Sequence, residues 1–207
     1  MKVYDCKEGL LSKDELKEIA DDVKAGKLIV YPSETVYGIG ANIFDETAIM
    51  KVFLAKHRPF DMPLSVGVAD KAMAKTIAVI DERAEKLIDA FMPGPLTIIV
   101  KKKNVPDIVT SNSHKVGIRI PDHPVAMQII KSTGPIVATS ANLHSRPDTV
   151  TMQEAMDDLK DSVSIYIDSG PCTLGKPSTI VWLMDDEVEI IRQGAITKQQ
   201  IEGILKC

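Results

Sequence analysis

Apolar positions along the chain follow two periods in turn. Between Ser12 and Ala25, Leu16, Ile19, Ala20 and Val23 recur three and four residues apart, the stripe of a helix that buries one side, with Ser12 placed to cap it and Gly26 to stop it. Lys27–Tyr31 is then a short apolar run, the pattern of a buried strand. Further strands are predicted at Leu64–Val68, Leu96–Lys101, Val116–Ile120, Ile136–Thr139, Ser164–Asp168, Thr179–Leu183 and Glu187–Arg192. Helices are predicted at Glu46–Ala55, Asp81–Phe91, Pro124–Ser132, Met152–Leu159 and Lys198–Leu205. Strands interleaved with helices, without repeats or a long Gly/Ser/Pro linker, imply one α/β domain spanning residues 1–207. Asp185-Asp186, between the last two strands, implies a hairpin and so a twisted mixed β-sheet with flanking helices.

The polar interruptions of this pattern carry the chemistry. The strand ending at Tyr31 runs into Pro32-Ser33-Glu34-Thr35-Val36-Tyr37-Gly38-Ile39-Gly40, where Pro32 stops the strand and the glycines permit close approach of backbone, so Ser33, Glu34 and Thr35 belong to an ordered turn at a strand end. Ligands of α/β proteins bind at such ends. Asp45 can cap the following helix, whose apolar positions Ile49, Val52 and Phe53 share one side and which must fail by Pro59. Lys56 and Arg58 therefore stand at its end, free to point together into a cleft; a helix C-terminus also attracts cations through its dipole.

Four later segments are similar in kind. Arg119 is a lone cation in the apolar strand Val116–Ile120 and needs an anionic ligand or an internal carboxylate. Ala138-Thr139-Ser140-Ala141-Asn142 ends a strand in hydroxyl and amide donors, and Pro177-Ser178-Thr179 opens another. Arg192 closes a strand just before Gly194, with Thr197 as cap of the last helix. No Gly-x-x-x-x-Gly-Lys-Ser/Thr loop, no Gly-x-Gly-x-x-Gly after a strand and no Gly-x-Ser-x-Gly occurs, so a nucleotide would be held by scattered strand-end residues.

Composition narrows the classes. With 207 residues, 44% hydrophobic and only 4% aromatic, the chain can bury one substantial, mainly aliphatic core. A net charge of -4 argues against non-specific coating of nucleic acid but allows one basic cleft. Cys6, Cys172 and Cys207 form no CxxC pair, and His57, His114, His123 and His144 are not spaced as zinc ligands, so inert thiols, no protein-built metal site and a reducing compartment are expected. Met1–Asp5 lacks the regions of a signal peptide and no apolar run approaches membrane-spanning length, which implies a cytoplasmic protein away from membranes.

Taken in order, Pro32–Gly40, Lys56-His57-Arg58-Pro59 with Pro63-Leu64, Pro93-Gly94-Pro95-Leu96-Thr97, Val116–Pro121, Ser140-Ala141-Asn142, Pro177-Ser178-Thr179 and Arg192–Thr197 resemble the YrdC-like family of threonylcarbamoyl-AMP synthases, in its short single-domain form. The resemblance implies a single α/β domain with a large concave cleft. It implies synthesis of L-threonylcarbamoyladenylate and pyrophosphate from L-threonine, bicarbonate and ATP, with Mg2+ carried by the triphosphate. The product would pass to proteins that transfer the threonylcarbamoyl group to the tRNA adenosine beside the anticodon. Carried over by position, Lys56, Arg58 and Ser140 would act in catalysis; Lys56, Arg58, Ser140, Asn142 and Arg192 would meet ATP; Thr35, Arg119 and Ser178 would meet threonine. Met62, Gly67 and Gln193 depart from the family pattern, the first two standing where Asn and His are common.

Two alternatives come with this reading. A module that binds tRNA or double-stranded RNA without chemistry would use a basic face of Lys101-Lys102-Lys103, Lys56, Arg58 and Lys115, although a lysine run at a strand end is also an ordinary solvated feature. A carbamoyl-adenylate activity with another carbamoyl donor would respond to carbamoyl phosphate instead of threonine.

Overall fold

A computed structural model describes residues 1–184 and 187–206, so the Asp185-Asp186 turn and Cys207 lie outside the described residues. The chain begins with β1 (Lys2–Asp5), α1 (Lys13–Lys24), β2 (Ile29–Tyr31), β3 (Gly38–Gly40), α2 (Glu46–Lys56), β4 (Ser65–Gly67) and α3 (Lys71–Ile77). It continues through α4 (Glu82–Phe91), β5 (Leu96–Lys101), β6 (Lys115–Arg119), α5 (Pro124–Thr133), β7 (Ile136–Val137) and β8 (Thr139–Ser140). It closes with α6 (Met152–Leu159), β9 (Ile165–Asp168), β10 (Thr179–Leu183), β11 (Val188–Arg192) and α7 (Lys198–Lys206).

The α/β fold and the mixed strand pairing match expectation, but the strands divide between two sheets. One has the order β1-β9-β2-β3-β8 and the other β11-β10-β5-β6-β4-β7. The division is made within one apolar run. Residues 136–137 pair with β4 in the second sheet, while Thr139 and Ser140 pair with β3 in the first, so the single strand expected at Ile136–Thr139 crosses from one sheet to the other at Ala138. Sequence periodicity reports which residues are buried, not which neighbour buries them. The late hairpin is present, since β10 and β11 pair antiparallel.

Local chemistry explains the helix ends. The Ser12 hydroxyl accepts from Glu15 N while the Glu15 carboxylate accepts from Ser12 N, a capping box that starts α1 as expected. Asp45 accepts from Ala48 N to start α2, which stops at Lys56 because His57 turns left-handed (φ 51°), short of Pro59. Val66, Ile98, Ile118 and Val181 fill the core from one face of the second sheet. By strand alternation the opposite face carries Ser65, Thr97, Arg119, Ile180 and Arg192, which become the wall of a cleft.

Candidate active site

The cleft lies between the two sheets, with Tyr31, Gly38 and Ser140 from one and Ser65, Thr97, Arg119, Ile180 and Arg192 from the other. Its empty volume is about 850 Å³ when the solvent-open mouth is included. Strand register sets Thr97, Ile180 and Arg192 side by side on β5, β10 and β11. Among the described residues the wall carries three arginines, Arg58, Arg119 and Arg192, and no carboxylate side chain.

Each arginine is aimed by neighbouring groups. Arg58 donates through Nε to Met62 O (3.1 Å) and through Nη2 to Pro63 O (3.0 Å), so Met62 serves by its carbonyl. Arg192 donates to Ser178 O (3.2 and 3.0 Å) and to Ser178 Oγ (3.2 Å), and Ser178 Oγ shares a hydrogen bond with Thr97 Oγ1 (2.9 Å). Burial lowers the pKa of both arginines; the charge of Arg192 adds to this at Arg58, and that of Arg119 at Arg192, where Asp148 opposes it. Arg119 lies 2.7 Å from Glu34, which resolves the lone strand cation into an ion pair. The contact is ionic without hydrogen-bond geometry, however, and Arg119 Nε and Nη2 are left as buried donors. Such donors lose their desolvation cost when an anion arrives.

Arg58, Arg119, Ser140, Ser178 and Arg192 thus meet at one cleft. Lys56, Thr35 and Asn142 stand behind it. Lys56 does not point with Arg58 into the opening, because the residue is 2% exposed and its ammonium donates to Ser140 O, to Asn142 O (2.5 Å) and to Asn142 Oδ1 (3.3 Å). It holds the 140–142 loop from below. Ser140 Oγ in turn donates to Asn142 Oδ1 (2.5 Å), and Asn142 Nδ2 donates to Arg146 O (2.6 Å). Thr35 is fully buried with its hydroxyl 2.9 Å from Ser33 Oγ, so Ser33 presents that turn to the cleft. Ser33 belongs to the strand-end turn expected to meet ligand, whereas Tyr31, Ser65 and Thr97 have no ligand contact assigned from the sequence; strand alternation opposite the buried positions is the signal that marks Ser65 and Thr97.

Burial, with the Arg58 charge beside it, lowers Lys56 to a pKa of about 8. The ammonium has a donor for each of its three acceptors and the neutral amine one fewer, so this grip is complete below pH 8 and weakens above it, and kcat with saturating substrates should fall as the pH rises through that value. A pH–rate profile flat to about pH 9.5 would contradict this role.

Gly194 secures the Ser178 wall. A Cβ there would stand 2.3 Å from Pro177 O and 2.4 Å from Thr179 N, while Gly194 N donates to Thr179 Oγ1 (2.9 Å). Gly194→Ala should cost about 2–3 kcal/mol in urea unfolding, the order of an overpacked site, and should weaken whatever binds at Ser178. An unchanged unfolding midpoint would contradict that packing.

A shallower apolar groove adjoins the cleft, sharing Arg58, Ser65 and Arg192 and adding Ile99, Trp182 and Ile191. Lys115 lies over the Trp182 ring, 3.3 Å from its centroid. Lys102 is bound to Asp107 and to Thr110 Oγ1 (2.9 Å), and Lys103 donates to Lys75 O (3.3 Å). With Lys56 buried and Arg58 in the cleft, the lysines form no continuous basic face, and the RNA-binding module is not favoured.

A cleft between mixed sheets, walled by arginines and hydroxyls, has the chemistry of an anion-binding site on an α/β fold. The profile of the Sua5/YciO/YrdC family, described as "Telomere recombination", matches residues 21–194, and the chain belongs to that family. A Methanocaldococcus jannaschii protein is 38% identical, covering 97% of this chain and 95% of its own length. The threonylcarbamoyl-AMP synthase of Bacillus subtilis is 36% identical over 92% of this chain and 56% of its own length. The crystal structure of Pyrococcus abyssi Sua5 complexed with L-threonine superposes with a TM-score of 0.94 at 32% identity, covering 99% of this chain and 61% of that one. The chain therefore spans little more than half of these two larger relatives. Among its described residues no helix is long and apolar enough to cross a membrane.

Proposed function

We propose that the protein is an L-threonylcarbamoyladenylate synthase and that residues 1–207 act as one catalytic unit. The observation that carries this reading is the convergence on one cleft of Arg58 and Arg192, which have no ion-pair partner among the described residues, with Arg119, whose ion pair to Glu34 leaves Nε and Nη2 without hydrogen bonds, a set that a triphosphate and an amino-acid carboxylate together satisfy. The names of the relatives and the threonine in the Pyrococcus structure support the same substrates. The reaction needs no protein nucleophile. Threonine's neutral amine attacks bicarbonate with loss of water to give a carbamate; a carbamate oxygen attacks the α-phosphorus of ATP and pyrophosphate leaves.

The residues align and neutralise these partners. Arg58 and Arg192 take the phosphates, Arg119 takes the threonine carboxylate, and Ser178 links the Arg192 side of the site to the amino acid. Ser140 meets the reacting group on a loop that Lys56 and Asn142 hold in place, and Thr35 fixes the Ser33 turn against threonine. The apolar groove of Ile99, Ile180 and Ile191, which adjoins Arg58 and Arg192, suits a planar base. ATP enters as its magnesium complex, with the ion on the phosphates, which the carboxylate-free wall fits. The adenylate would be consumed by proteins that transfer its threonylcarbamoyl group to tRNA in the cytoplasm. The test is radiolabelled bicarbonate: label should enter an adenylate only with both threonine and ATP. Label transfer from carbamoyl phosphate without threonine would instead identify the alternative donor.

A further inference from the structure

Tyr31 ends β2 at the cleft wall and is only 3% exposed. Its ring occupies a slot made by three glycines. A Cβ at Gly38 would lie 3.1 Å from Tyr31 Cζ, one at Gly40 would lie 3.2 Å from Cε1, and one at Gly67 would lie 3.7 Å from the hydroxyl. The backbone therefore closes tightly on the ring and fixes its position. The hydroxyl donates to Val137 O at 3.3 Å, a long contact for an O–H donor, and no group among the described residues donates to its oxygen. Burial raises the phenol's pKa, so it stays neutral and able both to donate and to accept.

Tyr31, Gly38 and Ala138 line the same cleft as Arg119, and the Tyr31 phenol lies within electrostatic reach of Arg119 and Glu34, so an amino acid whose carboxylate meets Arg119 has this uncharged surface available to its side chain. We propose that Tyr31 is a specificity-determining residue for the amino-acid substrate: its ring limits the depth available to the side chain, and its oxygen accepts a hydrogen bond from the β-hydroxyl of threonine. The inference rests on the synthase reading given above. A subsite built to pair a hydroxyl leaves its own oxygen unpaired when an isostere without one binds, which is how a polar site rejects an apolar analogue.

The experiment is calorimetric binding of L-threonine and of its isostere L-valine to the unmodified protein and to Tyr31→Phe, with pyrophosphate release followed on the same samples. Tyr31→Phe should weaken threonine binding about tenfold, the scale of one neutral hydrogen bond, leave valine within about twofold, and leave the KM for ATP unchanged. An equal loss for both amino acids would show that Tyr31 acts through packing alone and would overturn the assignment, as would threonine binding unaffected by the change. Unmodified protein that binds threonine and releases no pyrophosphate would overturn the synthase reading while the binding ratio still decided the role of Tyr31. Unmodified protein that binds no threonine would overturn both.

Discussion

Arg58→Ala is expected to lower pyrophosphate release by at least about a hundredfold with little change in folding stability. Among the described residues the guanidinium's hydrogen bonds go to the carbonyls of Met62 and Pro63, on a turn that the backbone also shapes through Met62 N donating to Pro59 O (3.1 Å). Its removal also relieves repulsion from Arg192 across the cleft. The fold therefore loses about 1 kcal/mol or less, while under the proposed assignment the transition state loses a charge at the departing phosphates. Steady-state kinetics with a thermal unfolding scan separates the two effects. Near-normal turnover would remove Arg58 from the phosphate site.

Lys56→Ala should behave differently, although the two residues lie two positions apart. The Lys56 side chain is buried and supplies the donors for Ser140 O and Asn142 O, so truncation leaves a cavity and two carbonyls without that donor. We expect a loss of about 2–4 kcal/mol, which lowers the unfolding midpoint by about 5–10 °C, together with a fall in kcat as the Ser140 loop loosens. A variant that loses activity at an unchanged melting temperature would place the lysine against substrate instead of under the loop. Comparing the variants asks whether the two cations act as a pair or as a contact and its support.

That division could not be read from the sequence. Lys56-His57-Arg58 announces two cations at a helix end, but the side to which each turns depends on the left-handed His57 and on the 140–142 loop, which is distant in sequence. What was legible was local: the Ser12 and Asp45 caps, the buried stripe of α1, and the strands that carry Arg119 and Arg192. β1 and the short helix α3 were not foreseen. For α3 a signal existed, since Asp70 accepts from Met73 N as a cap, but the helix is only seven residues long and its apolar stripe is short. β3 lies in the segment expected to be an ordered turn, where Gly38 and Gly40 permit close approach of backbone; glycine is a poor strand former, and pairing on both sides, with β2 and β8, overrides that. Glu34 stood in the quoted motif without a role, and only the tertiary fold shows it as the partner of Arg119.

The central claim is that this cleft joins threonine, bicarbonate and the adenylyl group of ATP. It is tested most directly by pyrophosphate release from ATP by the purified protein with magnesium and bicarbonate, with and without L-threonine, and with serine and carbamoyl phosphate as comparisons. The account predicts release that requires threonine and is weaker with serine. Release driven by carbamoyl phosphate alone, or none with any of them, would contradict it.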